Sequence, residues 1–406
     1  MSKRRHYEDA YTTQFQANIL EKFMENNRHA VVLDETYFYP ESGGQPADQG
    51  TINGRSVTHL SIRETDGAVI HWLDGALGEA KVATAVIDWQ RRFDHMQQHT
   101  GQHILSQAFR QIAKAETLSF HLSENAVTID VDRLDMSDAE IAAVEQYANQ
   151  AVWANHPVTI QFVTQEEWAT LPLRKIPPTR NGRLRLINIE NFDLTACGGT
   201  HVNQTGSVGQ IKIVRQEKRG EKSRIEFKCG NRALQDYRQK HTIVRDLTAA
   251  LTTGAADILP AIIKLRQENK EAQRTLKKQK NALLAVEIEK FKANGTQIGA
   301  HTLIKHTFAD HAAADLQALA TRLTKQENII VMFGQGGQRT RLLFSRSPNV
   351  PGDMNQLLQT ALAKLGNGGG GGSAHFAQGG GSTHPSQEVS DALDAAQSCW
   401  VDSLPK

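Results

Sequence analysis

Cysteine is scarce in this chain: three in 406 residues, Cys197, Cys229 and Cys399, an odd number set far apart. That arithmetic excludes a disulfide framework, and a reducing, cytoplasmic compartment is the expectation. Long apolar runs are lacking too, since no stretch approaches the ~18 apolar residues that a membrane span needs. The basic start, Met1-Ser2-Lys3-Arg4-Arg5-His6, leads into Tyr7-Glu8-Asp9 and not into the apolar centre of a secretory signal. A surplus of one charge is absent: 46 Lys+Arg face 44 Asp+Glu. Bulk charge therefore votes neither for nor against nucleic acid, and any RNA contact must come from local patches. No internal repeat is present.

The length exceeds one typical core and points to several domains. Between Tyr11 and Asp88, short apolar stretches (Ala30–Leu33, Val69–Trp72, Val82–Ile87) alternate with Gly-rich turns, the pattern of a small β-barrel or sandwich, over 1–89. From 90 to 231 the pattern is mixed. Met96, Ile104, Leu105, Ala108 and Phe109 suit one face of a helix, and strands are expected at Ala126–Val131, Leu184–Ile189 and Gly209–Val214. A helix is expected over Ser137–Ala154, opened by a Ser137/Glu140 capping box. Over 232–297, Leu234, Tyr237, His241, Val244 and Leu251 form one stripe, and Ile258, Ile262, Leu265, Asn269, Ala272, Leu276, Gln279, Leu283 and Val286 a heptad seam. A long helical hairpin is the expectation there, and the seam also allows a dimer; a homodimer is favoured. The last unit, 298–406, has two apolar strands near Asn328–Phe333 and Thr340–Phe344 and then turns glycine-rich at Gly366–Gly372 and Gly379–Gly381. The whole reads as an α+β multidomain chain.

His95, His99 and His103 lie one helical turn apart, so any neighbouring two could share a metal ion; spacing does not choose between them. A second cluster, Cys197-Gly198-Gly199-Thr200-His201, brings a thiolate and an imidazole together across a turn that needs glycine. Two histidines of the helix with Cys197 and His201 make a donor set well matched to Zn²⁺. Four protein ligands also suit a closed, purely structural zinc. A metalloprotease is disfavoured, because His99-Thr100-Gly101-Gln102-His103 has no glutamate where such enzymes place their base.

Three segments, His99-Thr-Gly-Gln-His103, Glu41-Ser-Gly-Gly-Gln-Pro-Ala-Asp48-Gln-Gly50 and Cys197-Gly-Gly-Thr-His201-Val-Asn-Gln-Thr-Gly206, resemble in order and spacing the motifs of the alanyl-tRNA editing domain. Leu171–Lys175 and Arg224–Gly230 continue the likeness. Gly368–Gly381 is similar to the glycine-rich signature of a DHHA1 domain, so nearly the whole chain resembles the long type of free-standing alanyl-tRNA editing protein, the AlaX family. The resemblance implies a zinc-binding editing domain with His99, His103, Cys197 and His201 as ligands and His95 as a neighbour. It implies a C-terminal α/β DHHA1-like domain that holds tRNA. No ATP-binding class II region is visible, so charging of tRNA is not expected, and the Asp-His-His motif of related phosphoesterases is missing.

The implied reaction is hydrolysis of the aminoacyl ester of mischarged Ser-tRNA(Ala), with Gly-tRNA(Ala) a second candidate. A site selective for alanine rejects serine by only a few kcal/mol, ~10²-fold in comparable pockets, so a second, hydrolytic site is the remedy. Gln45 and His121 are the catalytic candidates; Gly43, Gly44, Asp48, Thr100 and Ser119 are the candidates for contact with the substrate. By itself Glu41–Gly50 reads as a barrel hairpin. Arg91, Arg92, Arg174 and Lys175, the last two before Pro177-Pro178-Thr179-Arg180, could meet acceptor-stem phosphates, and Gly369 and Gly370 could do so in the last unit, although such glycine runs are more often mobile loops. The rival class is a non-catalytic tRNA-binding module organised by a structural zinc.

Overall fold

The computed structural model describes residues 2–124, 126–175, 183–337, 339–366 and 368–404, which form two compact units, Met1–Thr252 and Thr253–Lys406. The stretch Pro177-Pro178-Thr179-Arg180 lies outside the described residues.

The first unit opens with a closed barrel of six antiparallel strands in the spatial order Gln14–Glu25, Arg28–Leu33, Val69–Leu73, Arg55–Ile62, Gly50–Ile52 and Val82–Ile87. Asn26 and Asn27, with φ of 50° and 60°, make the two-residue turn of its first hairpin. Paired positive φ is the turn whose twist matches flanking strands, and asparagine tolerates it best after glycine. Along Val82–Ile87, Ala83, Ala85 and Ile87 are buried and the residues between them exposed, the period of two that a barrel wall requires. Small alanines at these inward positions leave room for Phe38, Ile52 and Leu60 in a narrow barrel.

Helix α1, Trp89–Ala108, follows directly, its first turn capped by the Asp88 carboxylate, which accepts from the Arg91 N–H. Met96, Ile104, Leu105, Ala108 and Phe109 are all fully buried. They pack on a four-stranded antiparallel sheet in the order Ile211–Arg219, Lys222–Cys229, Val127–Val131, Thr117–Leu122. Gly101 is in the middle of the helix because the Cys229 thiol fills the space: a Cβ there would stand 2.3 Å from Sγ. Helix α2, Asp138–Trp153, begins with the expected capping box between Ser137 and Glu140 and buries Val144 and Ala148 in the same core. A second sheet of three antiparallel strands, Val158–Val163, Leu184–Ile189 and Asp193–Ala196, delivers the chain to Cys197.

Residues 232–297 do not form a unit of their own. Helix Gly230–Leu251 belongs to the first unit, tied down by Arg232 on Asp94 at 2.6 Å and Lys228 on Asp236 at 2.7 Å. Helix Ile258–Ala293 belongs to the second. Its final turns bury Ile288 with Leu284 and Phe291 alongside, while the heptad residues Leu276, Leu283 and Val286 stay exposed. The covered face is thus displaced from the seam. A six-stranded mixed sheet follows, in the order Thr296–Ile298, His301–Phe308, Ile329–Gln335, Thr340–Arg346, Phe376–Gly381, Gly369–Gly372. Only His301–Phe308 and Ile329–Gln335 run parallel. Helix Ala313–Leu323 covers one face and helices Met354–Leu365 and Ser386–Asp402 the other.

The glycine run is not a loop. Gly369–Gly372 is an edge strand paired with Phe376–Gly381, and a Cβ at Gly370 would meet the Gly379 Cα at 2.4 Å. The two backbones approach so closely that only glycine fits between them.

Candidate metal centre

Four side chains converge inside the first unit. His99 and His103 project from α1 one turn apart, with ring centroids 5.4 Å from each other. Cys197 and His201 come from the turn after strand Asp193–Ala196, and all four ligating atoms lie within 4.8 Å of one another. The Cys197 Sγ is 3.3 Å from Nε2 of both His99 and His201. A tetrahedral ion with Zn–S and Zn–N bonds of about 2.3 and 2.0–2.1 Å needs edges of about 3.3–3.6 Å, and the two Sγ–Nε2 edges at 3.3 Å match that spacing. Burial pushes the Cys197 thiol up, but the facing His99, His201 and His103 rings more than offset this and hold it well below the ordinary thiol value.

Two of the imidazoles are hydrogen-bonded from behind. His99 Nδ1 meets Gln45 Oε1 at 2.7 Å, and His201 Nδ1 meets Thr100 Oγ1 at 3.1 Å. His103 Nδ1 faces the Asp193 carboxylate at 3.6 Å, beyond hydrogen-bond length, and Asp193 is clamped by Arg174 at 2.8 Å. For His99 and His201 Nε2 is the nitrogen left for the centre, the arrangement that fixes tautomer and ring angle at metal sites. Sequence reasoning missed Asp193 altogether. It also missed Arg185, which donates to the carbonyls of Cys197 at 2.7 Å and Gly199 at 3.0 Å and so holds the ligand turn. Gly199 itself is required: a Cβ would stand 2.2 Å from the His99 ring.

Several expected roles are redrawn by these contacts. Gln45 is fully buried; its Oε1 also accepts from the Thr200 N–H and its Nε2 donates to Thr200 Oγ1. Its contacts place it behind His99, and its burial keeps it from the surface. Thr100 likewise accepts from the Val202 N–H and serves His201. Asp48 accepts from Tyr39 N and pairs with Arg92; both side chains are wholly buried, which removes Asp48 from substrate contact and Arg92 from phosphate contact. Arg91 and Arg92 are consecutive on a helix, about 100° apart, so one turns outward when the other turns in. Arg174 is spent on Asp193, while Lys175 is exposed.

Strand Thr117–Leu122 settles another register. Phe120 lies over His99, ring centroids 5.0 Å apart. Ser119 and His121 therefore stand on the opposite face, where the Ser119 hydroxyl donates to Asp130. Gly44 is docked on this strand: its carbonyl accepts from Leu122 N at 3.0 Å, its φ is +82°, and a Cβ would lie 2.6 Å from the Phe120 carbonyl. Gly43 lacks such a neighbour. Gly44→Ala is expected to cost about 1–3 kcal/mol through strain and forced separation. The urea midpoint of the purified variant measures it, and an unchanged midpoint would refute the close approach.

Family models match at three places: the Threonyl and Alanyl tRNA synthetase second additional domain over residues 184–226, tRNA synthetases class II (A) over 5–91, and the DHHA1 domain over 301–402. The alanyl-tRNA editing protein AlaX-L of Pyrococcus horikoshii is 31% identical over 414 residues, spanning 98% of this chain and 99% of that protein. The chain belongs to the alanyl-tRNA editing protein family. Alanine-tRNA ligase of Pyrococcus abyssi is 30% identical over 97% of this chain and 43% of its own length. The alanyl-tRNA editing protein Aarsd1 of Danio rerio is 35% identical over 60% of each chain. The class II (A) match falls on residues 5–91, the stretch that contains the six-stranded barrel. Among the described residues no single helix is long and apolar enough to cross a membrane.

Proposed function

We propose that the chain hydrolyses the aminoacyl ester of mischarged tRNA(Ala), taking Ser-tRNA(Ala) first and Gly-tRNA(Ala) second, with Zn²⁺ held by His99, His103, Cys197 and His201. The observation that carries this reading is a four-donor cluster in which His99 and His201 are hydrogen-bonded from behind by Gln45 and Thr100 and His103 faces the Asp193 carboxylate, in a member of the alanyl-tRNA editing family. When bound, the ion supplies a Lewis acid for the ester carbonyl or for the attacking water. Gln45, Thr100 and Asp193 keep the three rings in place for it. Phe120 supplies an apolar wall over His99, which excludes water from one side of the ring. Lys175, with the exposed edge Gly369–Gly370, is left for tRNA phosphates, while Arg91 is held by Glu124 and the Ala47 carbonyl.

A second reading is favoured by one specific feature. Four protein donors close a tetrahedral centre, and His99, His103 and His201 are only 3–6% exposed. A closed centre would make the chain a tRNA-binding module without turnover. Deacylation of labelled Ser-tRNA(Ala), with Ala-tRNA(Ala) and Ser-tRNA(Ser) as controls, decides between them. Serine released from the first substrate alone supports the hydrolase; release at the spontaneous rate, with tRNA still bound, leaves the binding module.

A further inference from the structure

The first unit carries a cleft of about 690 Å³ where the first turns of α1 and of helix Gly230–Leu251 converge. His95 lines it, only 1% exposed, and its Nδ1 has no hydrogen-bond partner among the described residues. Burial, helped by Arg91, lowers this imidazole to about 4, so at neutral pH it offers one donor and one acceptor. Exposed amides of Gln90, Asn231 and Gln235 line the same space.

The charges in the cleft are already engaged. Arg91 pairs with Glu124 at 3.1 Å and Arg232 with Asp94 at 2.6 Å. A bare phosphate would have to displace those carboxylates, whereas a neutral heterocycle with a donor and acceptor edge would not. One wall is aromatic: Trp89, 39% exposed, lies 5.1 Å from Phe93 and 5.5 Å from Tyr11, itself 37% exposed. The Tyr11 hydroxyl donates to the Asn203 side chain at 2.9 Å, two residues beyond the ligand His201. His95 precedes the ligand His99 by four residues of α1, a rise of about 6 Å. The cleft therefore neighbours the metal centre along α1, and Tyr11, which packs on the cleft residue Trp89, reaches the segment after His201 through Asn203.

We propose that this cleft lodges the unpaired nucleotide preceding the terminal adenosine of the substrate tRNA, its base stacked on Trp89 and its edge read by His95 and the neighbouring amides. Unpaired RNA ends are recognised in this way, by an aromatic face and polar groups at the base edge. The inference rests on the tRNA reading above and supplies the path by which a 3′ end reaches the centre.

The test uses tRNA(Ala) carrying 2-aminopurine next to the terminal adenosine, titrated with the full chain. Wild type quenches the fluorescence, Trp89→Ala and His95→Leu lose the quench, and Trp89→Phe restores it. With Ser-tRNA(Ala), Trp89→Ala raises KM roughly 5–100-fold, the range for loss of one stacked base, with kcat and metal content unchanged. No quench by wild type, or a quench and KM that survive Trp89→Ala, overturns the cleft assignment. Absence of wild-type deacylation with the quench intact removes the hydrolase reading and keeps the cleft.

Discussion

Asp48→Ala is expected to destabilise the first unit by about 3–5 kcal/mol, the cost of leaving a buried charge without its partner. Arg92 sits wholly buried, with Nε donating to Asp48 at 3.0 Å, one terminal nitrogen to the Ala10 carbonyl at 2.7 Å and the other to the Tyr37 carbonyl at 2.6 Å. Asp48 also accepts from the Tyr39 N–H at 2.6 Å, so truncation strands a second donor. Four parts of the chain meet here: the N-terminal segment at Ala10, the Tyr37–Tyr39 segment, the Glu41–Gly50 loop and α1. Against a total stability of roughly 5–15 kcal/mol, the loss leaves a marginal protein. Urea unfolding measures it, and the double variant Asp48→Leu, Arg92→Met should recover part of the loss because an apolar pair has no charge to strand. A loss below about 1 kcal/mol for Asp48→Ala would show the pair to be solvent-screened and not buried.

That pair also shows where sequence reasoning stops. Two adjacent arginines before a histidine-bearing helix read as a phosphate clamp, yet the helical turn sends Arg91 outward and Arg92 into the core. Burial of a charge depends on carbonyls of Ala10 and Tyr37, which lie 82 and 55 residues away and carry no local signal. The cluster was legible only in part: helical spacing left His95, His99 and His103 open beside the Cys-Gly-Gly-Thr-His turn, and the likeness to the editing motifs is what chose His99 and His103. Its bracing was not legible, since any buried carboxylate could have stood behind His103, and Asp193 looks like one acidic residue in an ordinary strand. Amphipathic elements with a buried face, such as Val82–Ile87 and α1, were legible. Strand Gln14–Glu25 was not, because only Ala17 of its twelve residues is buried and the alternation that betrays a strand is erased. The glycine strand failed for a related reason: composition of that kind usually signals mobility, and only the backbone of the Phe376–Gly381 strand makes it ordered.

The bracing of the centre leads to the second large effect. Cys197→Ser is expected to abolish metal retention: a hydroxyl is a far weaker acid than a thiol, whose ionisation the three facing imidazoles favour here, so the soft thiolate donor is lost. Asp193→Asn should be graded. The amide keeps the shape but removes the charge facing His103 Nδ1 and leaves Arg174 without its anion, and losses behind a ligand histidine cost ~10–100-fold in metal affinity. Chelator competition followed by metal analysis of the dialysed protein separates the two variants. Cys197→Ser should retain no stoichiometric metal, and Asp193→Asn should retain it until a chelator roughly tenfold weaker than the wild type requires is added. Equal, wild-type retention in Asp193→Asn would mean that 3.6 Å is too far for the carboxylate to orient His103, and that Arg174 and Asp193 serve only to join the Leu173–Lys175 turn to strand Asp193–Ala196. Loss of metal in Cys197→Ser with deacylation of Ser-tRNA(Ala) intact would place the chemistry outside the four-donor centre altogether.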